Sequence, residues 1–372
     1  MTRITEVQAR TVNVALDNPT SFSNRQVLKR DYALVKVTGD DGISGIGFCY
    51  GGNNAGHLVT QAVRDLLKPV VMGQDAHRVE GLWQEMYESL LHGRAGSVMR
   101  ALSILDVALW DRNARAAGLP LYQFLGASDE QSVAAYASGG YYLDGKTPAK
   151  LAEEMTGYVE MGFRAVKMKV GREDLAGEEA RLAAVREAIG PDVLLMMDAN
   201  NAWQDLPSAL AFARMAEPYS PYWIEEPFSP DDIDNHRRLA ERTPIPVATG
   251  EIEAGRWRFK ELLDKEAAMI LQTDAAVCGG ITEFRRIAAT AASYGVEICP
   301  HWFHDLHVHL VGSTPNAPFV EFFADDQVLN FRRLIDTQLT FGDGRLHLPR
   351  APGLGFDFDE AALSRYAVEP WS

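Results

Sequence analysis

The chain of 372 residues is acidic, with 36 Lys and Arg against 51 Asp and Glu and a formal net charge of −15. It is 47% hydrophobic and 23% charged, the balance of a chain that buries a large core rather than a disordered one. No basic stripe is present to meet phosphates, so neither a nucleic-acid nor an anionic-lipid partner is expected.

Cys49, Cys278 and Cys299 are too few and too scattered for a disulfide framework or a Cys-based zinc site. The N-terminus lacks the apolar run of a secretory signal, and no stretch approaches the roughly 18 uninterrupted apolar residues of a membrane span. A cytoplasmic protein with no membrane partner is expected. In chain order, Ile4 to Val14, Tyr32 to Val37 and Ile43 to Tyr50 read as strands, the last two flanking the turn signal Gly39-Asp40-Asp41-Gly42. Asp17 to Arg25 reads as a polar loop. Helical periodicity follows over Leu58–Leu67, Val79–Leu91 and Ser97–Ala117, and Gly118-Leu119-Pro120 with Gly126-Ala127-Ser128 closes this first α+β unit.

From about residue 133 short apolar strands alternate with amphipathic helices. The expected strands are Val133–Ala137, Ala165–Val170, Leu194–Asp198, Trp223–Glu225, Val247–Glu251, Met269–Asp274, Glu297–Pro300 and Phe319–Phe322. Helix signals fall between them. Thr147-Pro148, Ser229-Pro230 and Thr282 mark starts, while Gly162, Gly190-Pro191 and Gly295 mark ends. Eight such strands predict a (β/α) barrel. A doubly wound open sheet is the alternative, but the residues after the first strand, Ser138-Gly139-Gly140-Tyr141, lack the dinucleotide-binding fingerprint.

The residues that end these strands carry the chemistry. The second strand ends in Lys167-Met168-Lys169, with both lysines on one face. Asp198, Glu225, Glu251, Asp274 and His301 follow on successive strands at intervals of 23 to 27 residues, and Glu321 lies in the last strand. In a barrel these ends converge on one face, where active sites lie. Asp198, Glu225 and Glu251 from adjacent strands then either share a proton or surround a hard cation, and an all-oxygen set favours Mg²⁺. Two lysines on one side and His301 on the other offer proton carriers, and Asp274 can accept the second imidazole N–H. This suits removal of a proton α to a carboxylate, with a Lys of suppressed pKa as one possible base.

Lys-x-Lys, Asp-x-Asn, Glu-Glu-Pro, Gly-Glu, Asp and His in this order resemble the mandelate racemase subgroup of the enolase superfamily. Each motif is weak alone, but the ordered set is specific and spans nearly the whole chain. The resemblance implies an α/β fold: a modified TIM barrel, (β/α)₇β, over residues 128–348, with an α+β cap over 1–127 completed by 349–372. It implies one Mg²⁺ on Asp198, Glu225 and Glu251, and an acid/base pair of Lys169 and His301 with Asp274 behind His301. It also implies Lys167 and Glu321 near the substrate carboxylate and Asn200 near a hydroxyl. Specificity is expected from the cap segments 17–25 and 50–54, which include Tyr50. The expected reaction is dehydration of a sugar acid to a 2-keto-3-deoxy acid, by analogy with the subgroup. A racemase or epimerase, a cycloisomerase of a sugar-acid lactone, and a barrel that binds without catalysis are the alternatives. The expected partners are a small carboxylate substrate and further copies of the chain.

Simpler readings hold for neighbouring residues. Glu226 is expected to pair with a barrel neighbour, since only one of two adjacent strand residues faces the centre. His304, His307 and His309 lack a thiol cluster, so packed or surface histidines are preferred to a zinc tract. Arg94 reads as a surface arginine rather than an anion contact, Cys299 as a small packing residue, and Trp302 and Phe303 as core or pocket lining.

Overall fold

A computed structural model describes residues 1–23, 25–127, 131–326 and 328–372. Asn24, inside the expected polar loop, and Ser128, where the expected boundary falls, lie outside the described residues. Strands β1 (Ile4–Phe22), β2 (Arg25–Gly39) and β3 (Ser44–Tyr50) form an antiparallel sheet. It packs on a buried helix, Gly96–Ala116. Gly47 permits this contact, because a Cβ there would stand 1.9 Å from the Ile104 carbonyl oxygen. The expected loop at 17–25 is a correction. The β1–β2 ladder resumes after a register shift between Ala15 and Thr20 and pairs Phe22 with Arg25. Polar side chains do not prevent pairing where strands project past the core, since the backbone ladder is independent of them.

The barrel strands are β4 (Ser132–Ser138), β5 (Ala165–Lys169), β6 (Leu194–Asp198), β7 (Trp223–Glu225), β8 (Val247–Thr249), β9 (Ile270–Leu271), β10 (Glu297–Ile298) and β11 (Val320–Phe322). Neighbours pair in parallel from β4 through β10, and β11 returns to pair with β4. Seven helices alternate with them: Pro148–Glu160, Leu175–Ile189, Leu206–Ala216, Ile233–Ala240, Arg256–Asp264, Gly280–Ser293 and His304–Ser313. This is the (β/α)₇β order. A hairpin of β12 (Phe341–Gly342) and β13 (Arg345–His347) adds to β4 antiparallel.

Three expected strands end two or more residues early. The ladders of β8 and β9 stop early because the chain turns: Glu253 N–H donates to the Gly250 carbonyl, and Val277 and Cys278 N–H both donate to that of Asp274. β10 stops before Pro300, which has no N–H to give. Two helix starts also shift. Residues 229–232 form a turn, and Asp232 caps the next helix by accepting from Asn235 N–H at 3.1 Å. The helix expected from Thr282 begins at Gly280, because Thr282 is engaged by Asp106 on the cap helix. Its amide donates to Asp106 at 2.9 Å and its hydroxyl at 2.6 Å. Trp83 Nε1–H donating to the Gly279 carbonyl at 2.7 Å adds a second tie between cap and barrel.

Alternation divides the barrel strands into two faces. Met168, Met197 and Ile224 point outward into the helix layer. Tyr136, Ala165, Met196, Trp223, Ala248, Ile270 and Cys299 fill the barrel interior. The C-terminus returns to the cap, where Ala9 N–H donates to the Ser372 carbonyl and Val368 N–H to that of Thr11. No helix among the described residues is long and apolar enough to cross a membrane. Trp223 is fully buried in the interior layer, so Trp223→Ala should cost about 3–5 kcal/mol, read as a lower urea midpoint. A loss under about 1 kcal/mol would show that this layer is not close-packed.

Candidate active site

Strand register assembles the site. Lys169 pairs with Asp198 and Asp198 with Glu225, so the three stand in one row across β5, β6 and β7, directly above the row of Lys167, Met196 and Trp223. Glu251 joins from the turn after β8. The preceding Gly250 has φ 121°, and a Cβ there would stand 2.8 Å from the Phe259 ring, so glycine is required to bring Glu251 round. Asp198, Glu225 and Glu251 each offer an oxygen, and these atoms lie within 4.8 Å of one another.

Two ammonium groups are threaded between the carboxylates. Lys167 Nζ donates to both Glu225 oxygens at 2.8 and 2.7 Å and lies 2.8 Å from Glu321 Oε1. Glu321 Oε2 in turn accepts from Trp302 N–H at 2.7 Å. Lys169 Nζ donates to Asp198 Oδ2 at 2.5 Å, while Asp198 Oδ1 accepts from Asn200 N–H at 2.9 Å. Burial opposes both ammoniums, but the carboxylates prevail and hold Lys167 and Lys169 above the ordinary lysine value. The expectation of a suppressed lysine is therefore corrected for the protein's own groups. Burial and the charges of Asp198, Glu321 and Glu251 push Glu225 up to about 8, more than Lys167 offsets. The cluster carries more negative charge than its lysines neutralise.

Glu226 adds to this excess. Among the described residues its side chain makes no hydrogen bond or ion pair with a barrel neighbour, contrary to expectation. Its φ is 43°, its Oε1 is buried without a hydrogen bond, and burial together with Glu251, Asp198 and Glu225 raises it well above an ordinary carboxyl. Asn200, Asn201 and Trp302 also have positive φ, at 44°, 63° and 75°. Four non-glycine residues with left-handed backbone thus lie in the turns after β6, β7 and β10 at this one face, where strain is tolerated because the surrounding contacts over-determine it.

Across the mouth, His301 Nδ1 lies 3.1 Å from Asp274 Oδ2, and its Nε2 lies 3.6 Å from Glu251 Oε2. Burial disfavours the imidazolium, but Glu251 and Asp274 outweigh it and push His301 up to about 9. Burial would likewise raise Asp274, yet hydrogen bonding, first from His301, holds it well below the usual carboxylate range. His307 Nε2 accepts from Ala275 N–H at 3.1 Å, so it does not also donate to Asp274 Oδ1 at 3.4 Å. His304 is buried in packing, and His309 bridges Tyr122 N–H and the Leu354 carbonyl at 3.2 and 3.0 Å. The histidine-rich segment is structural apart from His301.

A cavity of about 600 Å³ lies between cap and barrel mouth. Lys169, Asn200, Glu251, Asp274 and His301 line it from the barrel, and Tyr50 from the cap. Lys167, Asp198, Glu225 and Glu321 lie buried beneath. Asn200 Oδ1 is buried without a partner at the cavity wall. Phe22, Arg30, Arg100 and Tyr141 line the cavity without having been singled out from sequence. Tyr141 and Phe22 flank Lys169, with ring centroids 5.0 and 5.6 Å from Nζ. Arg30 was legible in principle, as one charge on the strand face that carries Tyr32 and Leu34. Arg94 is exposed and away from the cavity.

A capped (β/α)₇β barrel whose mouth gathers carboxylates, paired lysines and an Asp–His pair is an enzyme of the enolase type. Residues 4–126 match the family model described as the mandelate racemase / muconate lactonizing enzyme N-terminal domain, and 150–362 match that described as enolase C-terminal domain-like. The chain belongs to the enolase superfamily, in its mandelate racemase subgroup. It is 33% identical over 346 residues to arabinonate dehydratase of Saccharolobus solfataricus, covering 90% of each chain. It is 34% identical to D-galactarolactone cycloisomerase of Agrobacterium fabrum, covering 98% and 99%. The solved structure of L-talarate/galactarate dehydratase from Salmonella typhimurium LT2, liganded with Mg and L-lyxarohydroxamate, superposes with a TM-score of 0.91 at 30% identity and covers 100% of this chain and 94% of that one.

His301 lies above its ordinary value, so its pairing stabilises the fold below about pH 6.5, and that contribution is lost as pH rises through about 9. In chelator-treated protein, Asp274→Asn should move the His301 midpoint down by about one pH unit or more, read by NMR titration. An unchanged midpoint would show that Asp274 does not hold the imidazolium.

Proposed function

We propose that the protein is a Mg²⁺-dependent enzyme that removes the proton α to a carboxylate and dehydrates a sugar acid to a 2-keto-3-deoxy acid. The observation that carries this reading is the excess of carboxylate charge at Asp198, Glu225 and Glu251, faced by Lys169 on one side and His301 on the other. The donor set fits the ion: three carboxylates in reach of one centre, all oxygen, with Glu225 pushed up and one Glu251 oxygen without a hydrogen bond. When bound, Mg²⁺ supplies fixed positive charge beside the substrate carboxylate, where negative charge grows as the α-proton leaves. Similarity to a dehydratase structure liganded with Mg supports the same assignment.

The chain's own residues do the rest. An Asp198 engaged by the cation would no longer pair Lys169, and burial with the Lys167 charge, the two influences that oppose its ammonium, would then favour Lys169 as a base. Lys169 takes the α-proton at Nζ. The electron pair left on the α-carbon expels the β-hydroxyl, and His301, kept protonated by Asp274, gives that hydroxyl its proton from Nε2 so that it leaves as water. The resulting enol becomes the ketone by tautomerisation. Asn200 meets a substrate hydroxyl with its unpartnered amide oxygen. Lys167 and Glu321 hold Glu225 and the Trp302 backbone in place from below. Cycloisomerisation is the second reading, favoured by the 34% identity to a cycloisomerase over nearly the full chain. It uses the same proton carriers, with a ring oxygen leaving in place of a hydroxyl.

Sugar acids incubated with enzyme and Mg²⁺ in D₂O and followed by NMR should give a keto-deoxy product. Lys169→Ala and His301→Asn should each lower kcat by roughly 10²–10⁴-fold. No α-exchange with any acid, in folded protein, would overturn the reading. Mg²⁺ at about a hundred times Kd should stabilise the wild type by about 2.7 kcal/mol and leave Asp198→Asn nearly unchanged, as measured by thermal unfolding. Equal stabilisation of both would remove Asp198 from the ligands.

A further inference from the structure

Arg30, on β2 of the cap, lines the cavity and is only 2% exposed. Its guanidinium lies 4.5 Å from the Trp302 ring centre and 5.2 Å from that of Tyr50. Trp302 in turn stacks on the His301 imidazole at 5.6 Å. Two of its nitrogens, Nε and Nη2, are buried and make no hydrogen bond, and no carboxylate among the described residues pairs with it. The adjacent Asp31 is not a counter-ion. It lies on the opposite face of the strand, where it accepts from Asn13 and, at 3.3 Å, from Gly56 N–H. The other cap arginines on the cavity are already held, Arg25 by Asn201 Oδ1 at 2.9 Å and Arg100 by the Tyr50 carbonyl at 3.1 Å.

A buried guanidinium with idle donors is costly, and stacking on two rings offsets only part of that cost. An anion inside the cavity completes it. The planar fork of arginine suits a carboxylate, which takes two parallel N–H donors. On the proposed reading the reactive carboxylate lies beside the cation that Asp198, Glu225 and Glu251 would hold, so the anion at Arg30 is a second one.

Resting on the acid-sugar reading above, we infer that Arg30 seats a second carboxylate at the far end of the substrate. The preferred substrates are then aldaric acids, with a carboxylate at each end, rather than aldonic acids or lactones closed on that carboxylate. The Tyr50 and Trp302 rings hold the guanidinium in place.

The test compares acids of matched hydroxyl configuration, galactarate with galactonate and glucarate with gluconate, in Mg²⁺. Wild type, Arg30→Met and Arg30→Lys are examined by kcat/KM and by calorimetric binding. In wild type at least one aldarate should exceed its aldonate by roughly a hundredfold. Arg30→Met should collapse that ratio to within about tenfold, and Arg30→Lys should keep part of it, since it retains the charge but not the fork. Wild type that treats both acids alike in turnover and binding overturns the inference, as does an Arg30→Met that lowers both members of a pair equally. If Arg30→Met fails to fold, the wild-type ratio and Arg30→Lys decide. Turnover of no acid, with aldarate-selective binding intact, counts against the proposed reaction and supports the Arg30 seat.

Discussion

Charge confined in a small, dry volume governs this structure. Five carboxylates, Asp198, Glu225, Glu226, Glu251 and Glu321, share the barrel mouth with two ammoniums, all but Glu251 buried. In a low-dielectric interior, groups of one sign repel strongly and any unpaired charge is costly. The lysines answer part of this. Lys167 binds Glu225 and Glu321 together, and Lys169 binds Asp198. Burial, and then the charge that remains uncompensated, raise Glu225 and Glu226, and that remainder suits a divalent cation. A cation held there would compete with Lys169 for Asp198, so on the proposed reading ligand binding and proton chemistry are two aspects of one charge balance.

The scaffold keeps that balance rigid. Lys169, Asp198 and Glu225 owe their row to strand register, and the layer beneath them, with Trp223 and Met196, is closely packed. The strained residues after β6, β7 and β10 are held by contacts on both sides. Asn200, for instance, donates its amide to Asp198 while its carbonyl accepts from Ser23 of the cap at 3.0 Å. The cap thus does more than cover the mouth. Its Phe22 faces Tyr141, from the loop after β4, across Lys169, and it brings Arg30 and Tyr50 to the cavity. Acidic net charge does not bar an anionic substrate, because the cavity wall itself carries cationic groups.

Much of this was legible in the sequence. Lys167, Lys169, Asp198 and Glu225 could be placed because strand alternation and parallel pairing leave little freedom in where such side chains point. Glu251 and Asp274 were found as strand ends, although their strands stop earlier and turns carry them in. The hairpin over 17–22 and 25 was missed because its residues are polar, and polarity reports exposure rather than pairing. Glu226 was misread because alternation assigns it outward, while a positive φ after β7 turns it back.

The sequence by itself determined the barrel, its charged strand ends and the family, because those depend on local periodicity and on residues at regular spacing. Only the tertiary structure decided which charges meet and which are left over. Arg30 is separated from His301 by 271 positions in the chain, yet one tryptophan ring stands between them. Its want of a partner depends on what every other element places nearby, which local pattern does not encode.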